Sequence, residues 1–167
     1  MPNTRILLIA LVSRVAGGLA WASALTTGAG TLTALDYAEI QQLYARYNFT
    51  IDASDAEGYA ALYTPDGTFN TFTGRDALIQ FMKGRNRGHV RHWNTNLMIT
   101  PTPEGASGAV YLMLLNVSTT PPSVESAGKY ADRLVKTPQG WRFKSRQSTR
   151  ESPADTPPGA TPRSPRP

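Results

Sequence analysis

The hydrophobic pattern of this chain changes period once, and that change limits the folds open to it. Up to Lys83 the apolar residues recur at helical spacing; from Val90 they alternate at a period of two. Ile40, Leu43, Tyr44, Tyr47 and Ile51 fall at i, i+3, i+4, i+7 and i+11, which predicts one face of a long helix over about Thr33–Asp52. Thr33 and Asp36 can cap its start. Ser54 and Glu57 stand at capping-box spacing and predict a short second helix that runs through Tyr63 and stops at Pro65. Asp66-Gly67 reads as a turn, Thr68–Phe72 as a short strand, and Gly74–Lys83 as a third helix with Leu78, Ile79 and Met82 inward.

Four strands are then expected, at His92–Thr100, Gly108–Ser118, Val124–Lys136 and Trp141–Thr149. Thr137-Pro138-Gln139-Gly140 makes a hairpin of the last two. In the final strand Trp141, Phe143 and Ser145 alternate with Arg142, Lys144 and Arg146, which predicts an apolar face and a basic one. Helices first and an antiparallel sheet after them define an α+β class, with three N-terminal helices on one face of a strongly curved, mainly antiparallel sheet. Such a cone-shaped α+β barrel leaves a cavity under the helices.

The two ends read differently. Residues 1–24 have the layout of an export signal: Arg5, an apolar run Ile6–Val12, and small-x-small patterns at Ala20-Trp21-Ala22 and Ala22-Ser23-Ala24. Arg14 interrupts the apolar region, and the run is too short to span a membrane, which takes about 20 residues. A periplasmic or secreted location is the expectation. Residues 152–167 are rich in Pro, Thr, Ser and Gly and are expected to be a disordered tail. The folded domain is therefore placed at 33–151.

The formal net charge is +5, but Arg5, Arg14, Arg163 and Arg166 with Asp155 account for most of it. The remainder holds 13 basic and 11 acidic residues, too even a balance to point to nucleic acid. There are no cysteines, so disulfides, thiolate nucleophiles and thiolate metal sites are excluded. No Walker loop, HExxH or GxSxG is present.

Several stretches together resemble the SnoaL-like domains of the nuclear-transport-factor-2-like superfamily. They are Ile40-Gln41-Gln42-Leu43-Tyr44-Ala45-Arg46-Tyr47, Ile51-Asp52-Ala53-Ser54-Asp55, Tyr59-Ala60-Ala61-Leu62-Tyr63-Thr64-Pro65-Asp66-Gly67, Gly74-Arg75-Asp76-Ala77-Leu78, Arg91-His92-Trp93-Asn94-Thr95-Asn96, Gly128-Lys129-Tyr130-Ala131-Asp132 and Gly140-Trp141-Arg142-Phe143. That superfamily includes ketosteroid isomerase, scytalone dehydratase, bile acid 7α-dehydratase, polyketide cyclases and non-catalytic binding domains. The resemblance implies an apolar small-molecule ligand, a homodimer formed through the sheet, and no metal or organic cofactor.

By resemblance to the two dehydratases, Tyr47, Asp52 and His92 are the candidate catalytic residues. The chemistry agrees. Removing water next to a carbonyl needs a base for a carbon-bound proton and a donor for the developing enolate. An imidazole suits the first task, a phenol the second, and a carboxylate can fix the imidazole's tautomer. Tyr47 and Asp52 lie roughly 140° apart around a helix, so they converge only where the helix end leans into the cavity. Each also has a plain structural reading, as core packing for Tyr47, a turn residue for Asp52 and a hydrogen-bonded strand histidine for His92.

Tyr63, Trp93, Asn94, Tyr111, Tyr130 and Arg150 are candidate ligand contacts. The family's next-strand acid falls here at Leu114, and a second histidine of scytalone dehydratase falls near Tyr111. Lys83, Arg85, Arg87 and Arg91 crowd one loop with His89, where an anionic group could be received. Two functions follow: a cofactor-free lyase or isomerase, and a binding or dimerisation domain without chemistry.

Overall fold

The computed structural model describes residues 30–85 and 88–151. The expected export signal, the Pro-rich tail and Arg87 lie outside the described residues. Three helices, α1 (Ala34–Asp52), α2 (Ala56–Ala61) and α3 (Arg75–Lys83), pack on a six-stranded mixed sheet. Its strands are β1 (Tyr63–Phe69), β2 (Phe72–Thr73), β3 (Val90–Thr102), β4 (Gly105–Asn116), β5 (Ser123–Thr137) and β6 (Gly140–Glu151), in the order β2-β1-β6-β5-β4-β3. All pairings are antiparallel except β1 with β6. The α+β class and the helices-on-a-curved-sheet architecture read from the sequence are what the chain adopts.

Helix α1 starts as expected. Thr33 accepts from the Asp36 amide, and Asp36 accepts in return from the Thr33 amide, a reciprocal capping box. Its buried face holds Ile40, Leu43, Tyr44, Tyr47 and Ile51. Asp36 has two further partners, the Lys136 ammonium at 2.7 Å and the Trp141 indole N–H at 3.0 Å. One carboxylate therefore ties the head of α1 to the β5–β6 hairpin. The Lys136 ammonium, followed by the hydrogen bonds from Thr33 and Trp141, holds this carboxyl far below the usual carboxylate range.

The second element departs from the sequence reading. Asp55, not Ser54, caps α2 by accepting from the Gly58 amide, and Ser54 takes a positive φ of 57° in the turn before it. The helix stops at Ala61, and the segment from Tyr63 is already a strand. Pro65 and Asp66-Gly67 lie within β1, where the register against β6 slips between Tyr63 and Thr68. An irregular strand beside the sheet edge tolerates the missing proline N–H, so the proline marks a bulge rather than a helix stop.

A second departure decides the core. Along β6, Phe143 pairs with Leu134 and Ser145 with Arg133, so Lys144 is an extra residue without an opposite number. That bulge resets the alternation. Arg146, read as part of the basic outer face, turns inward and is fully buried. Its Nε and Nη2 donate to the two oxygens of Asp132 at 2.8 and 2.7 Å. The guanidinium carbon lies 4.1 Å from the ring centres of Tyr47 and Phe143 and 4.2 Å from that of Tyr130. The Tyr44 hydroxyl donates to Asp132, and it does so across Gly108, where any Cβ would overlap that oxygen. Burial first, and the Asp132 charge second, push the Tyr44 hydroxyl up, so it remains a donor.

Two outcomes test this architecture. Arg146→Met leaves Asp132 buried without its counter-charge and should cost about 3–5 kcal/mol in urea unfolding, whereas adding Asp132→Leu should recover more than half of that loss. Asp36→Asn should lower the melting temperature at neutral pH. Because the folded-state pKa of Asp36 is depressed, its contribution is complete above the unfolded value of about 3.9 and fades as the pH falls below it. The gap between wild type and variant should be constant above about pH 5 and close progressively below about pH 4.

Candidate active site

Helix α1 ends on an acid, where the carbonyl end of the helix disfavours negative charge. The acid is held by the first residues of β3. Asp52 Oδ1 lies 2.6 Å from His92 Nδ1, and the His92 backbone amide reaches Oδ1 and Oδ2 at 3.2 and 3.1 Å. Both side chains are largely buried, His92 4% exposed and Asp52 14%. With the carboxylate as acceptor, Nδ1 carries the hydrogen and donates it, and the imidazole lone pair is on Nε2.

His92 borders a cavity of about 130 Å³ inside the cone. Its lining comes from inward-facing positions of four strands, among them Leu112, Leu114, Ser126, Tyr130, Ser148 and Arg150, with Ile51 of α1, Phe69 of β1 and Arg85 beyond α3. Gly128 also lies on the lining, where a Cβ would overlap the Thr149 carbonyl oxygen. His92 stands directly opposite Leu114 in the β3–β4 register, so the position facing the imidazole is apolar. Burial pushes the Tyr130 hydroxyl well up, which keeps it protonated and able to donate. Among the described residues no three His, Asp or Glu side chains group as metal ligands.

The three residues singled out for catalysis separate into a pair and a single. Asp52 and His92 come together. Tyr47 is fully buried in the aromatic cluster, with ring centres 5.3 Å from Tyr59 and 5.6 Å from Tyr130, and it stacks on Arg146. Its hydroxyl has no hydrogen-bond partner among the described residues, and Tyr47 is not on the lining of the His92 cavity.

Of the ligand-contact candidates, Tyr130 and Arg150 line the cavity. Tyr63 is buried in the core, its hydroxyl 3.1 Å from that of Tyr59. Asn94 lies half-buried on β3, its side-chain amide atoms without a hydrogen-bond partner among the described residues. Trp93, 60% exposed, borders a separate outer groove with Phe49 and Asp52. Tyr111 lies on the outer sheet face under the Lys129 ammonium.

The sequence reading missed Arg146 and Asp132 as a buried pair. One signal was present: Asp132 shares its strand parity with Tyr130 and Leu134, and a carboxylate on a core parity calls for a buried cation.

With this geometry in place, the comparisons are consistent. Residues 32–147 match the SnoaL-like domain, and the chain belongs to that family. No curated protein matches it. Among solved structures, the function-unknown protein Rv3472 of Mycobacterium tuberculosis is similar at 29% identity, over 72% of this chain and 80% of that one, with a TM-score of 0.66. A protein of unknown function with a cystatin-like fold from Nostoc punctiforme is similar at 26% identity, over 73% and 96%, with a TM-score of 0.67. A candidate scytalone dehydratase from Novosphingobium aromaticivorans shares the fold at 24% identity, over 71% and 85%, with a TM-score of 0.59.

The tautomer is directly measurable. In wild type, ¹⁵N spectra of neutral His92 should show the hydrogen on Nδ1, and Asp52→Asn should give a mixture of both tautomers.

Proposed function

We propose that this SnoaL-like protein is a cofactor-free lyase or isomerase acting on a hydrophobic hydroxy-carbonyl molecule. The observation that carries the reading is the Asp52–His92 pair at the wall of a cavity whose lining combines Ile51, Phe69, Leu112 and Leu114 with hydroxyl and guanidinium groups. In dehydration, His92 Nε2 takes the proton from the carbon beside the carbonyl. The electron pair moves toward the carbonyl oxygen as an enolate, and its collapse expels the β-hydroxyl, which leaves as water with the proton from His92. Asp52 keeps the ring in one tautomer and stabilises the transient imidazolium. A phenol hydroxyl holds the enolate oxygen. Tyr130 reaches the cavity directly, and Tyr47 packs against it. In an isomerase the same base returns the proton to a different carbon.

The proposal includes export, and pairing of two copies through the outer sheet face, where Trp93, Met98 and Tyr111 stand exposed. A second reading, ligand binding without turnover, is favoured by one observation: among the described residues no Asp or Glu lines the cavity beside His92, and Leu114 stands opposite it in the register.

The two readings separate in heavy water. With a cyclic β-hydroxy-ketone such as 3-hydroxy-1-tetralone, the enzyme reading expects catalysed exchange of the protons beside the carbonyl, followed by water loss. His92→Ala should slow both by about a hundredfold or more, and Asp52→Asn less. Saturable binding with no exchange in wild type would leave only the binding reading; exchange unchanged in folded His92→Ala would remove His92 as the base.

A further inference from the structure

Charge is distributed unevenly around the His92 cavity. Among the described residues two guanidinium groups border it, those of Arg85 and Arg150, and no carboxylate does. Asp52 meets His92 from the side of the outer groove instead. Neither arginine has an ion pair among the described residues. Arg85 follows the last turn of α3, with its guanidinium carbon 5.2 Å from the Phe81 ring centre, a contact that favours one side-chain position. Arg150 comes from the far end of β6, opposite Gly128, so no side chain stands between it and that part of the lining.

The basic cluster read from the sequence thus sorts itself. Arg91 donates to the carbonyl oxygens of Gly88 and Val90, and His89 faces Glu125 at 3.7 Å. Of the cluster's described members Arg85 lines the cavity, and it is joined there by Arg150, 65 positions away in sequence. Ile51, Phe69, Leu112 and Leu114 line the same cavity. Their enclosure is close in size to engineered apolar cavities of about 150 Å³ that take up benzene. A guanidinium offers paired N–H donors that match a carboxylate or phosphate, and two on one cavity without an ion pair among the described residues raise the local concentration of anions.

We infer that the ligand of this pocket carries an anionic oxygen group on a small apolar ring, with the anion between Arg85 and Arg150 and the ring against Ile51, Phe69, Leu112 and Leu114. The inference rests on the reading that this cavity is the ligand site, and it narrows the substrate class to ring acids or phosphorylated ring compounds.

Calorimetric titration of the whole protein with benzoate, benzamide, phenyl phosphate and inorganic phosphate tests it. Benzoate or phenyl phosphate should bind at least about tenfold more tightly than benzamide, as charge-assisted hydrogen bonds allow. Whichever of the two binds tighter identifies the anion. Arg85→Gln and Arg150→Gln should each reduce that preference severalfold, and the double variant should abolish it while leaving benzamide binding within about twofold. Added salt should weaken the anions alone. Equal binding of benzamide and both ring anions would overturn the inference and leave the cavity as the ligand site. Anion binding unchanged in the double variant would overturn the role of the arginines. Inorganic phosphate binding as tightly as phenyl phosphate would overturn the ring's part. Binding of none of the four would overturn both this inference and the ligand-site reading beneath it.

Discussion

Arg146 is a cation without access to water, and the surrounding structure is arranged to make that tolerable. A guanidinium taken out of water loses several kcal/mol of hydration. Asp132 returns part of this through two parallel hydrogen bonds, and the faces of Tyr47, Tyr130 and Phe143 return more through their ring charge distribution. The surrounding groups come from three elements: Tyr44 and Tyr47 from α1, Tyr130 and Asp132 from β5, Phe143 from β6 itself. The approach of α1 to the sheet is set by the Tyr44 hydroxyl passing over Gly108 to Asp132. The cavity beside His92 lies between these same elements, so its dimensions follow from how the buried charge is satisfied.

How far the sequence could be read differs by element, for physical reasons. Helix α1 and strands β3 to β6 were legible because each buries one face over many residues, which repeats the same signal several times. The Thr33–Asp36 box was legible because capping is local chemistry. The Tyr63–Phe69 strand was not, since proline and Asp-Gly are turn signals wherever neighbours are ignored, and only pairing with β6 makes them strand residues. Arg146 was hidden by a single extra residue. Alternation across Trp141–Arg146 places it outward, and the Lys144 bulge that reverses it is a property of the pairing with β5, invisible in one strand. At the candidate site, Asp52 and His92 were singled out through the resemblance, and the fold brings the two side chains together. The separation of Tyr47 from them was foreshadowed by its angle on the helix.

Asp52 serves fold and site at once. Its carboxylate accepts the backbone amide of His92 as well as the ring, so it fastens the end of α1 to the start of β3 while orienting the imidazole. A group held by three hydrogen-bond contacts needs little reorganisation when charge develops on the ring, which is the condition for efficient electrostatic support in catalysis. Tyr130 likewise both lines the cavity and packs on Arg146, but most other lining residues carry no such double duty. Leu112, Leu114, Ser126 and Ser148 touch the cavity without belonging to the Arg146 cluster, so pocket shape can vary while the scaffold stays fixed.

Strand β3 is 13 residues long and forms one border of the sheet. An uninterrupted border of that length would offer a row of unpaired amides and carbonyls to any extended chain. The register slip between Thr95 and Met98 breaks that row near its middle, with Asn96 at a φ of 58°. The kink divides the border into two short stretches that no straight strand can follow together. What is a local irregularity in the folded molecule is, for a crowded solution of such molecules, a barrier to stacking edge on edge into fibrils.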